Sequence, residues 1–528
     1  MRASDALEAA YDFVVCGGGT SGCVIARRLA EDPAVRVLLL EAGGDERVAE
    51  VANATIWMSN IGSSRDWQFR AQPSAGLGGR EAALPMGKVL GGGSSINGLI
   101  WARGHKSDFD LWAEEAGDSG WSYASVLEIY KRIEDWDGPA DPVRRGEGGP
   151  VYVTRPVDPI PLTAALLQAT AAAGIPAVED LNGAVMEGDG GCGIPNVTVR
   201  GRSERVSMAS AYLRPVMGQP NLTVRLQAEV RRLRFAGKRA VAVEFAHEDR
   251  LHEVRADCEI VLSLGAINTP KTLMLSGVGD AGQLERHGIP VIEDLPGVGQ
   301  NFQDHILVAG CVWEYRTPEA PRNNSAEFTF FCKSDPAQPT PDLQPMLEEC
   351  AFGSELTRVQ YCLPTDPAVA WTLAPGLVRP HSRGQIELTG SRPEDRVAVH
   401  ANFLDDRRDV SALLRAVELC REIGNSPMLR AFARRELMPG PLDAADMESW
   451  LRRAAGTYFH QSGTAKMGRD ARSVVDGSLR VYGVQGLRVA DGSIMPAITT
   501  GNTMAPCVVI GERAASLLRM AHGGGRIA

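Results

Sequence analysis

The fold is decided by YDFVVCGGGTSG, residues 11–22, and by the segment that follows it as far as Glu41. The apolar run 11–16 predicts a strand buried on both faces. Gly17, Gly19 and Gly22 then satisfy the G-x-G-x-x-G pattern, which allows a tight turn, close approach of the backbone to a pyrophosphate, and close packing of a helix on the strand. The stretch therefore predicts the start of a nucleotide-binding α/β unit.

The residues after the glycine turn strengthen this prediction. Residues 24–29 continue as a helix whose free N–H groups face the phosphates, and residues 35–40 form a second strand. Glu41 follows where a carboxylate can accept a hydrogen bond from a ribose hydroxyl. Glu41 also argues against NADP, because two negative groups would meet at the 2′-phosphate. At this point FAD and NAD both remain open.

Length and composition exclude other classes of protein. A chain of 528 residues predicts roughly three domains. The net charge of -10 and the lack of basic runs interleaved with aromatics indicate no nucleic-acid partner. No stretch approaches the ~18 apolar residues of a membrane span, and the first ten residues lack the apolar core of a signal peptide. Ten cysteines without a C-x-x-C pair favour a reduced, cytoplasmic chain.

Further along the chain, small residues and glycine turns recur. Residues 87–98, GKVLGGGSSING, contain too many small residues to form a helix or strand unaided, and predict a loop whose N–H groups cradle a ligand. A buried strand over 259–264 turns at Gly265 into a helix, and residues 486–492 give another strand that ends at Asp491. A final helix is predicted over 507–520, after Pro506. From about 307 to 453 no glycine turn occurs, which predicts an inserted substrate domain.

With these motifs assembled, the chain resembles the glucose–methanol–choline (GMC) flavoprotein oxidoreductases over nearly its whole length. The resemblance rests on residues 17–22 with 41–43, on 87–97, on 265–279, and on the segments around His460 and Asn502. It is strongest to bacterial alcohol oxidases and dehydrogenases of the pyridoxine oxidase-like or hydroxymethylfurfural oxidase-like type. It implies an α/β fold, with a Rossmann-like FAD-binding domain and an inserted α+β substrate-binding domain. The expected FAD-binding segments are 1–155, 196–306 and 455–528, and the expected substrate-domain segments are 156–195 and 307–454.

The resemblance implies FAD and assigns it contacts. Thr20, Ser21 and Glu41 would meet the ADP half, and the backbone of Val230 would read the adenine. Asn97 to Ile100 would run along the isoalloxazine, and Asp491 with Gly492 would approach the ribityl chain or pyrophosphate. Some family members carry a histidine bonded to the flavin where this chain has Ile96, so non-covalent FAD is expected. The full set of expected cofactor contacts is Gly17, Gly19, Thr20, Ser21, Gly22, Glu41, Ala42, Val89, Gly92, Ser95, Asn97, Gly98, Leu99, Ile100, Val230, Phe459, Asp491, Gly492, Thr503 and Met504.

The resemblance also assigns the chemistry. His460 matches the family's active-site histidine, and an imidazole suits removal of a hydroxyl proton because its pKa lies near working pH. Asn502 matches the second member of the family's His–Asn pair and would hold the substrate oxygen. Tyr458 stands where pyridoxine oxidase-like relatives have a second histidine, and a substrate contact is predicted for it. The N-terminus of the last helix would place its positive end near the flavin.

The remaining candidate groups receive plainer interpretations. His305 is expected to play a structural role, and His105, His247, His252, His287 and His522 are expected at the surface. No metal site is expected, because no H-x-H or H-E-x-x-H spacing occurs. Five aromatic residues hint at an apolar or aromatic ligand, although each alone more often belongs to a core: Phe328, Phe330, Phe331, Tyr361 and Trp371.

The expected reaction is oxidation of a primary alcohol to an aldehyde by hydride transfer to flavin N5. By analogy with bacterial family members, the expected alcohol is aromatic or heteroaromatic. Oxygen would then restore the flavin and yield hydrogen peroxide. The main alternative is a dehydrogenase that passes electrons to a quinone or another acceptor. A lyase or photodecarboxylase on the same scaffold is less favoured, because His460 and Asn502 are both present. An NAD-dependent dehydrogenase explains only the first motif, and a non-catalytic FAD-binding protein has no use for His460.

Overall fold

The largest element of the fold is a seven-stranded sheet built on the first strand. The structure is a computed structural model and describes residues 7–523. Ala10–Cys16 pairs in parallel with Val37–Leu40 on one side and with Arg250–Leu262 on the other. The central parts of these strands, 13–16, 37–40 and 260–262, are continuous apolar runs and are buried, as is typical of parallel strands. The remaining strands of this sheet are Leu222–Arg225, Glu229–Ala236, Arg239–His247 and Leu487–Val489.

Two helices cover one face of this sheet and cross closely. Thr20–Ala30 follows the glycine turn, and the last helix, Met504–His522, packs against it. A Cβ atom on Gly511 would lie 2.8 Å from Val24 Cβ and 2.9 Å from the Ser21 carbonyl oxygen. The glycine therefore permits the close crossing, which brings the start of the last helix beside the glycine turn.

A second, six-stranded antiparallel sheet lies on the other side of the molecule's central cavity. Its strands follow the order Ala433–Met438, Val312–Tyr315, Ala370–Ala374, Met346–Glu348, Thr329–Phe331 and Gly191–Gly193. Trp313 and Trp371 stack with ring centroids 4.5 Å apart, and helix Arg407–Gly424 packs on the same sheet. Alternation along Met346–Glu348 turns its first and third side chains to the cavity and buries Leu347 in the core.

Smaller sheets and further helices complete the chain. A four-stranded sheet contains Phe69–Ser74, Arg80–Leu84, Gln385–Glu387 and Ala398–His400, and a three-stranded sheet contains Ile306–Val308, Gly376–Leu377 and Ala455–Thr457. Three further pairs of strands are Glu134–Asp137 with Val151–Thr154, Val199–Arg200 with Glu204–Arg205, and Val278–Gly279 with Glu293–Asp294. The other α-helices are Ala49–Ala52, Gly93–Ile96, Lys106–Ala116, Tyr123–Ile133, Pro161–Ala172, Gly265–Leu275, Ala281–Arg286, Glu355–Gln360 and Ala444–Ala454.

Most of the elements expected from the sequence are present, with three differences. The strand expected over 259–264 is the end of the much longer strand Arg250–Leu262. The last helix begins at Met504, so Pro506 lies inside its first turn, where a missing N–H costs no hydrogen bond. The glycine-rich loop contains one helical turn, Gly93–Ile96. The six-stranded sheet takes strands from both expected substrate segments, and the boundaries of the five segments stay predictions.

Across residues 7–523, no helix has the length and apolar character needed to cross a membrane. The cytoplasmic location stays a prediction.

Candidate active site

A large cavity lies between the two main sheets. It opens at the carboxyl ends of the parallel strands, where Gly17, Glu41, Ser263 and Asp491 line its wall. Ligands in open α/β sheets bind at this edge. The cavity holds about 1600 Å³ of space between the atoms, including the part open to solvent.

The glycine turn brings a helix N-terminus to the cavity wall. A Cβ atom on Gly22 would lie 1.9 Å from the Gly17 carbonyl oxygen, so only glycine allows helix Thr20–Ala30 to start this close to its strand. No side chain caps the helix, and Thr20 and Ser21 line the cavity. The unpaired N–H groups and the positive end of the helix dipole therefore form a site for an anionic group.

The second glycine-rich loop closes over the first. A Cβ atom on Gly92 would lie 2.7 Å from the Gly19 Cα atom, which fixes how closely the two loops approach. Ser94 and Ser95 donate hydrogen bonds of 2.6 Å to the carbonyl oxygens of Gly91 and Leu90. These bonds hold the loop in shape without help from a ligand.

Two acids on the sheet edge are already held by backbone N–H groups. Glu41 accepts hydrogen bonds from Gly18 N at 2.9 Å and Gly43 N at 2.7 Å, and burial raises its pKa to about 7. Asp491 accepts from Gly265 N at 2.9 Å and also from Ser493 and Thr269, and burial raises its pKa as well. Each carboxylate retains lone pairs that can accept hydrogen bonds from ligand hydroxyl groups.

The histidine and asparagine expected to be catalytic meet at the far end of the cavity. His460 Nε2 lies 3.2 Å from Asn502 Nδ2. Asn502 Oδ1 accepts a hydrogen bond of 3.0 Å from Gln344 Nε2, which turns the amide N–H toward the imidazole. His460 Nε2 is thereby an acceptor without a proton. Burial lowers the pKa of His460 to about 3, so the ring is neutral at physiological pH.

A second histidine lies directly behind His460. His305 is fully buried, and its Nδ1 lies 2.9 Å from His460 Nδ1. Because His460 Nε2 is the acceptor, His460 Nδ1 carries the proton and donates it to His305 Nδ1. Burial, and next the neighbouring His460, hold the pKa of His305 well below its usual value, so it stays a neutral acceptor. The purely structural role expected for His305 therefore missed its contact with the candidate base.

The segment around His460 is fixed by its neighbours. The His460 backbone N–H donates to Asp304 Oδ1 at 2.9 Å. The Tyr458 ring stacks on the His460 ring with centroids 5.1 Å apart, and its hydroxyl donates to the Gln344 carbonyl oxygen at 3.2 Å. Tyr458 presents its ring rather than its hydroxyl to the cavity, and its predicted contact with substrate stays a prediction.

The structure brings most of the expected cofactor contacts together around this one cavity, although their roles stay predictions. The residues that line it are Gly17, Gly19, Thr20, Ser21, Glu41, Ala42, Gly92, Asn97, Gly98, Leu99, Ile100, Phe459, Asp491, Gly492, Thr503 and Met504. Gly22, Val89 and Ser95 lie behind the two loops and shape them. Val230 lines an adjoining pocket that shares Ala42 with the main cavity.

Several lining residues were not among the expected contacts. The main ones are Trp57, Trp67, Met86, Asn268, Leu307, Ala326, Met346, Glu348 and Gln461. Asn268 lies in the motif that begins at Gly265, so the sequence could have identified it as a lining residue. Met346 and Glu348 belong to a short strand that carries no motif. Phe328, Phe330 and Trp371 belong to the hydrophobic core. His105 is buried rather than exposed, and its side chain caps helix Lys106–Ala116.

The shape and chemistry of the cavity fit FAD. The uncapped N-terminus of Thr20–Ala30 suits a pyrophosphate, and Glu41 suits ribose hydroxyls. Asn97 to Ile100 line the wall between these groups and the His460–Asn502 pair. Ile96 also lines the cavity and offers no atom that could bond covalently to a flavin.

Comparison with known proteins agrees with this geometry. Two models of the GMC oxidoreductase family match residues 11–307 and 380–511. The chain is 37% identical to mitochondrial choline dehydrogenase of Mus musculus, over 96% of this chain and 89% of that protein. It is 34% identical to an alcohol dehydrogenase (acceptor) of Pseudomonas putida, over 96% and 95%. The crystal structure of pyridoxine 4-oxidase from Mesorbium loti is similar at a TM-score of 0.91 and 33% identity, covering 97% and 99%. The expected fold is thereby confirmed.

Proposed function

The chain belongs to the GMC oxidoreductase family, whose members bind FAD and act on CH–OH donors, and from that premise we propose that it oxidises a primary alcohol to an aldehyde with oxygen as the final acceptor. The observation that carries the proposal is the neutral His460 imidazole, whose Nε2 faces the cavity beside Asn502 at 3.2 Å. The name of the pyridoxine 4-oxidase supports oxygen as acceptor, and the name of the Pseudomonas putida relative supports another acceptor as the alternative.

Proton removal is the task of His460 and Asn502. The Asn502 N–H donates a hydrogen bond to the alcohol oxygen and holds it beside His460 Nε2, which takes the hydroxyl proton. His305 Nδ1 accepts from His460 Nδ1–H throughout, so the imidazolium that forms stays oriented and hydrogen-bonded. Bound FAD supplies the acceptor for the hydride that leaves the substrate carbon.

The walls of the cavity contribute orientation and exclusion of water. Ile100, Leu307, Ala326 and Met346 form an apolar surface beside Tyr458. An apolar wall strengthens the hydrogen bonds of the His460–Asn502 pair because it lowers the local dielectric constant. Helix Met504–His522 begins at the cavity, and its N-terminus adds a partial positive charge to the cavity wall.

The test is the rate of flavin reduction in His460→Ala, measured without oxygen in a stopped-flow instrument with a panel of primary alcohols. We expect the variant to keep its flavin spectrum and to be reduced about 10²–10⁴-fold more slowly, the usual contribution of a general base. His400→Ala removes a partly exposed histidine that does not line the cavity, and it serves as the matched control. Reduction of His460→Ala at nearly the wild-type rate would show that another group takes the proton.

The same experiment distinguishes the two acceptors and the mode of FAD binding. Rapid return of the flavin spectrum in air, with hydrogen peroxide formed, identifies an oxidase. Slow return in air, with rapid return on addition of a quinone, identifies a dehydrogenase. Release of the flavin on denaturation is expected, since Ile96 cannot bond to it.

A further inference from the structure

A positive charge lies buried behind the cavity wall and has no negative partner. Arg205 ends the short strand Glu204–Arg205, and only 5% of its surface is exposed. Within residues 7–523 its guanidinium forms no ion pair, and burial lowers its pKa to about 9, so it keeps its charge at physiological pH. Among the described residues that line the cavity, neither lysine nor arginine is present. The wall itself thus carries no full positive charge, and Arg205 supplies one from behind it.

The guanidinium of Arg205 is held by three oxygen atoms of neutral groups. Its Nε donates to the carbonyl oxygen of Val51 at 2.7 Å. Its Nη1 donates to the carbonyl oxygen of Ser94 at 3.1 Å and to Asn97 Oδ1 at 2.8 Å. Its Nη2 is buried and has no hydrogen-bond partner in the described part of the chain. Ser94 and Asn97 both line the cavity, so Arg205 contacts the wall from the protein side.

Arg205 determines which end of the Asn97 amide faces the cavity. Asn97 Oδ1 accepts from Arg205 and also from the backbone N–H of Leu99 at 3.1 Å. Because two donors occupy this oxygen, the Nδ2 end of the amide is the one left for the cavity. Asn97 Nδ2 lies 3.1 Å from the sulfur of Met504, which also lines the cavity and is a weak acceptor. A ligand oxygen or nitrogen would be a stronger partner for this N–H group.

This arrangement favours a ligand that gains negative charge at the wall. A buried cation without an anionic partner destabilises the fold, and that cost is offset when an opposite charge forms nearby. The guanidinium polarises the Asn97 amide, so the N–H end that faces the cavity becomes a stronger donor. Water would screen such an effect, whereas the interior of a protein screens it much less.

We propose that Arg205 is a positioning residue that acts through Asn97 to favour the reduced, negatively charged form of the bound flavin. The inference rests on the proposed placement of the isoalloxazine along residues 97–100 and deepens the proposed function. Reduction adds a hydride to the neutral oxidised ring system, which thereby gains one negative charge. Charges and hydrogen bonds near the flavin ring tune its electronics. Arg205 therefore raises the reduction potential of FAD and makes hydride transfer from an alcohol more favourable.

The test is the midpoint potential of the bound FAD, measured by anaerobic titration against an indicator dye with no alcohol present. Arg205→Met occupies similar space without the charge. We expect it to disfavour the reduced form by about tenfold, the order of one partly screened charge interaction, or about 30 mV for a two-electron couple. Arg205→Lys keeps the charge with fewer hydrogen bonds, so its equilibrium should stay within about threefold of wild type.

Arg80→Met is the matched control. Arg80 is a partly buried arginine that forms no ion pair within residues 7–523 and donates to the carbonyl oxygens of Arg452 and Ala455. It does not line the cavity, so its removal should leave the flavin potential unchanged even if the fold becomes less stable. A wild-type potential in Arg205→Met would overturn the proposal, as would equal shifts in Arg205→Met and Arg205→Lys.

A further variant keeps the test decisive if Arg205→Met does not retain FAD. Arg205→Gln is uncharged but can still donate a hydrogen bond to Asn97 Oδ1, so it should hold the loop and show the same shift in potential. Loss of FAD from both uncharged variants, with retention by Arg205→Lys, would also support a role for the charge. Loss of FAD from all three variants would overturn the proposal, because a role in shape alone predicts that result.

The titration also separates failure of this inference from failure of the proposed function, because it contains no substrate. If no alcohol reduces the flavin but Arg205→Met shifts the potential, the proposed oxidation fails and the role of Arg205 stands. If alcohols reduce the flavin and the potential does not shift, the oxidation stands and the role of Arg205 fails. Where both hold, alcohol should reduce the flavin of Arg205→Met more slowly at an almost unchanged KM, since Arg205 does not line the cavity.

Discussion

Replacement of His305 by leucine tests whether the buried imidazole behind the candidate base contributes to the reaction. His305 Nδ1 lies 2.9 Å from His460 Nδ1, and both rings are buried. When His460 takes the proton, this contact becomes a hydrogen bond from a cation. Such bonds contribute about 1.5–3 kcal/mol, which corresponds to roughly a 10–150-fold change in rate at 25 °C. Leucine fills similar space but accepts no hydrogen bond, so the rate of flavin reduction should fall by that factor.

The assay is anaerobic flavin reduction at saturating alcohol, and the matched variant is His305→Asn. The asparagine Oδ1 can occupy the place of the imidazole Nδ1 and accept from His460, so this variant should recover much of the rate. Both variants should keep the wild-type flavin spectrum and a KM within a few-fold of wild type. A His305→Leu enzyme that is reduced within twofold of the wild-type rate would refute the reasoning, as would equal losses in both variants.

Two further predictions concern stability. The pKa of Glu348 is raised in the folded state to about 8, so the protein is more stable where this group keeps its proton and loses that stability as the pH rises. From about pH 6.5 to about pH 8.5, this group lowers the free energy of unfolding by about 2 kcal/mol. In denaturant unfolding, the free energy of Glu348→Gln should therefore decline over this range by about 2 kcal/mol less than that of the wild type. Equal declines in the two proteins would contradict the prediction. Asp304, with its pKa raised to about 7, contributes a decline of the same sign to both proteins. Gly22→Ala should abolish FAD binding and most soluble expression, because its Cβ would lie 1.9 Å from the Gly17 carbonyl oxygen, whereas Gly44→Ala, with no atom within 4 Å, should bind FAD normally.

Local sequence signals were sufficient for the nucleotide-binding half of the molecule. The apolar run before Gly17, the glycine turn and the helix after it are adjacent in the chain, so periodicity and turn chemistry predict them directly. The same holds for the strand Val37–Leu40, which precedes Glu41, and for the helix that begins at Gly265. His460 and Asn502 were identified because each lies in a recognisable segment, and the structure brings their side chains to 3.2 Å.

Tertiary structure alone decided which residues surround that pair. His305 and His460 are far apart in the chain, and they meet because Gln303 and Ser462 pair across two backbone segments, a contact without a local signal. Glu348 belongs to a three-residue strand in which Met346 and Glu348 face the cavity and Leu347 faces the core. A sequence of three residues does not show which face of the strand will line a cavity. Motifs record contacts between a short segment and a ligand shared by many proteins, whereas the substrate end is assembled from distant segments. The sequence thus predicted the nucleotide-binding fold and the candidate base, and only the packing of the second sheet determined which side chains line the rest of the cavity.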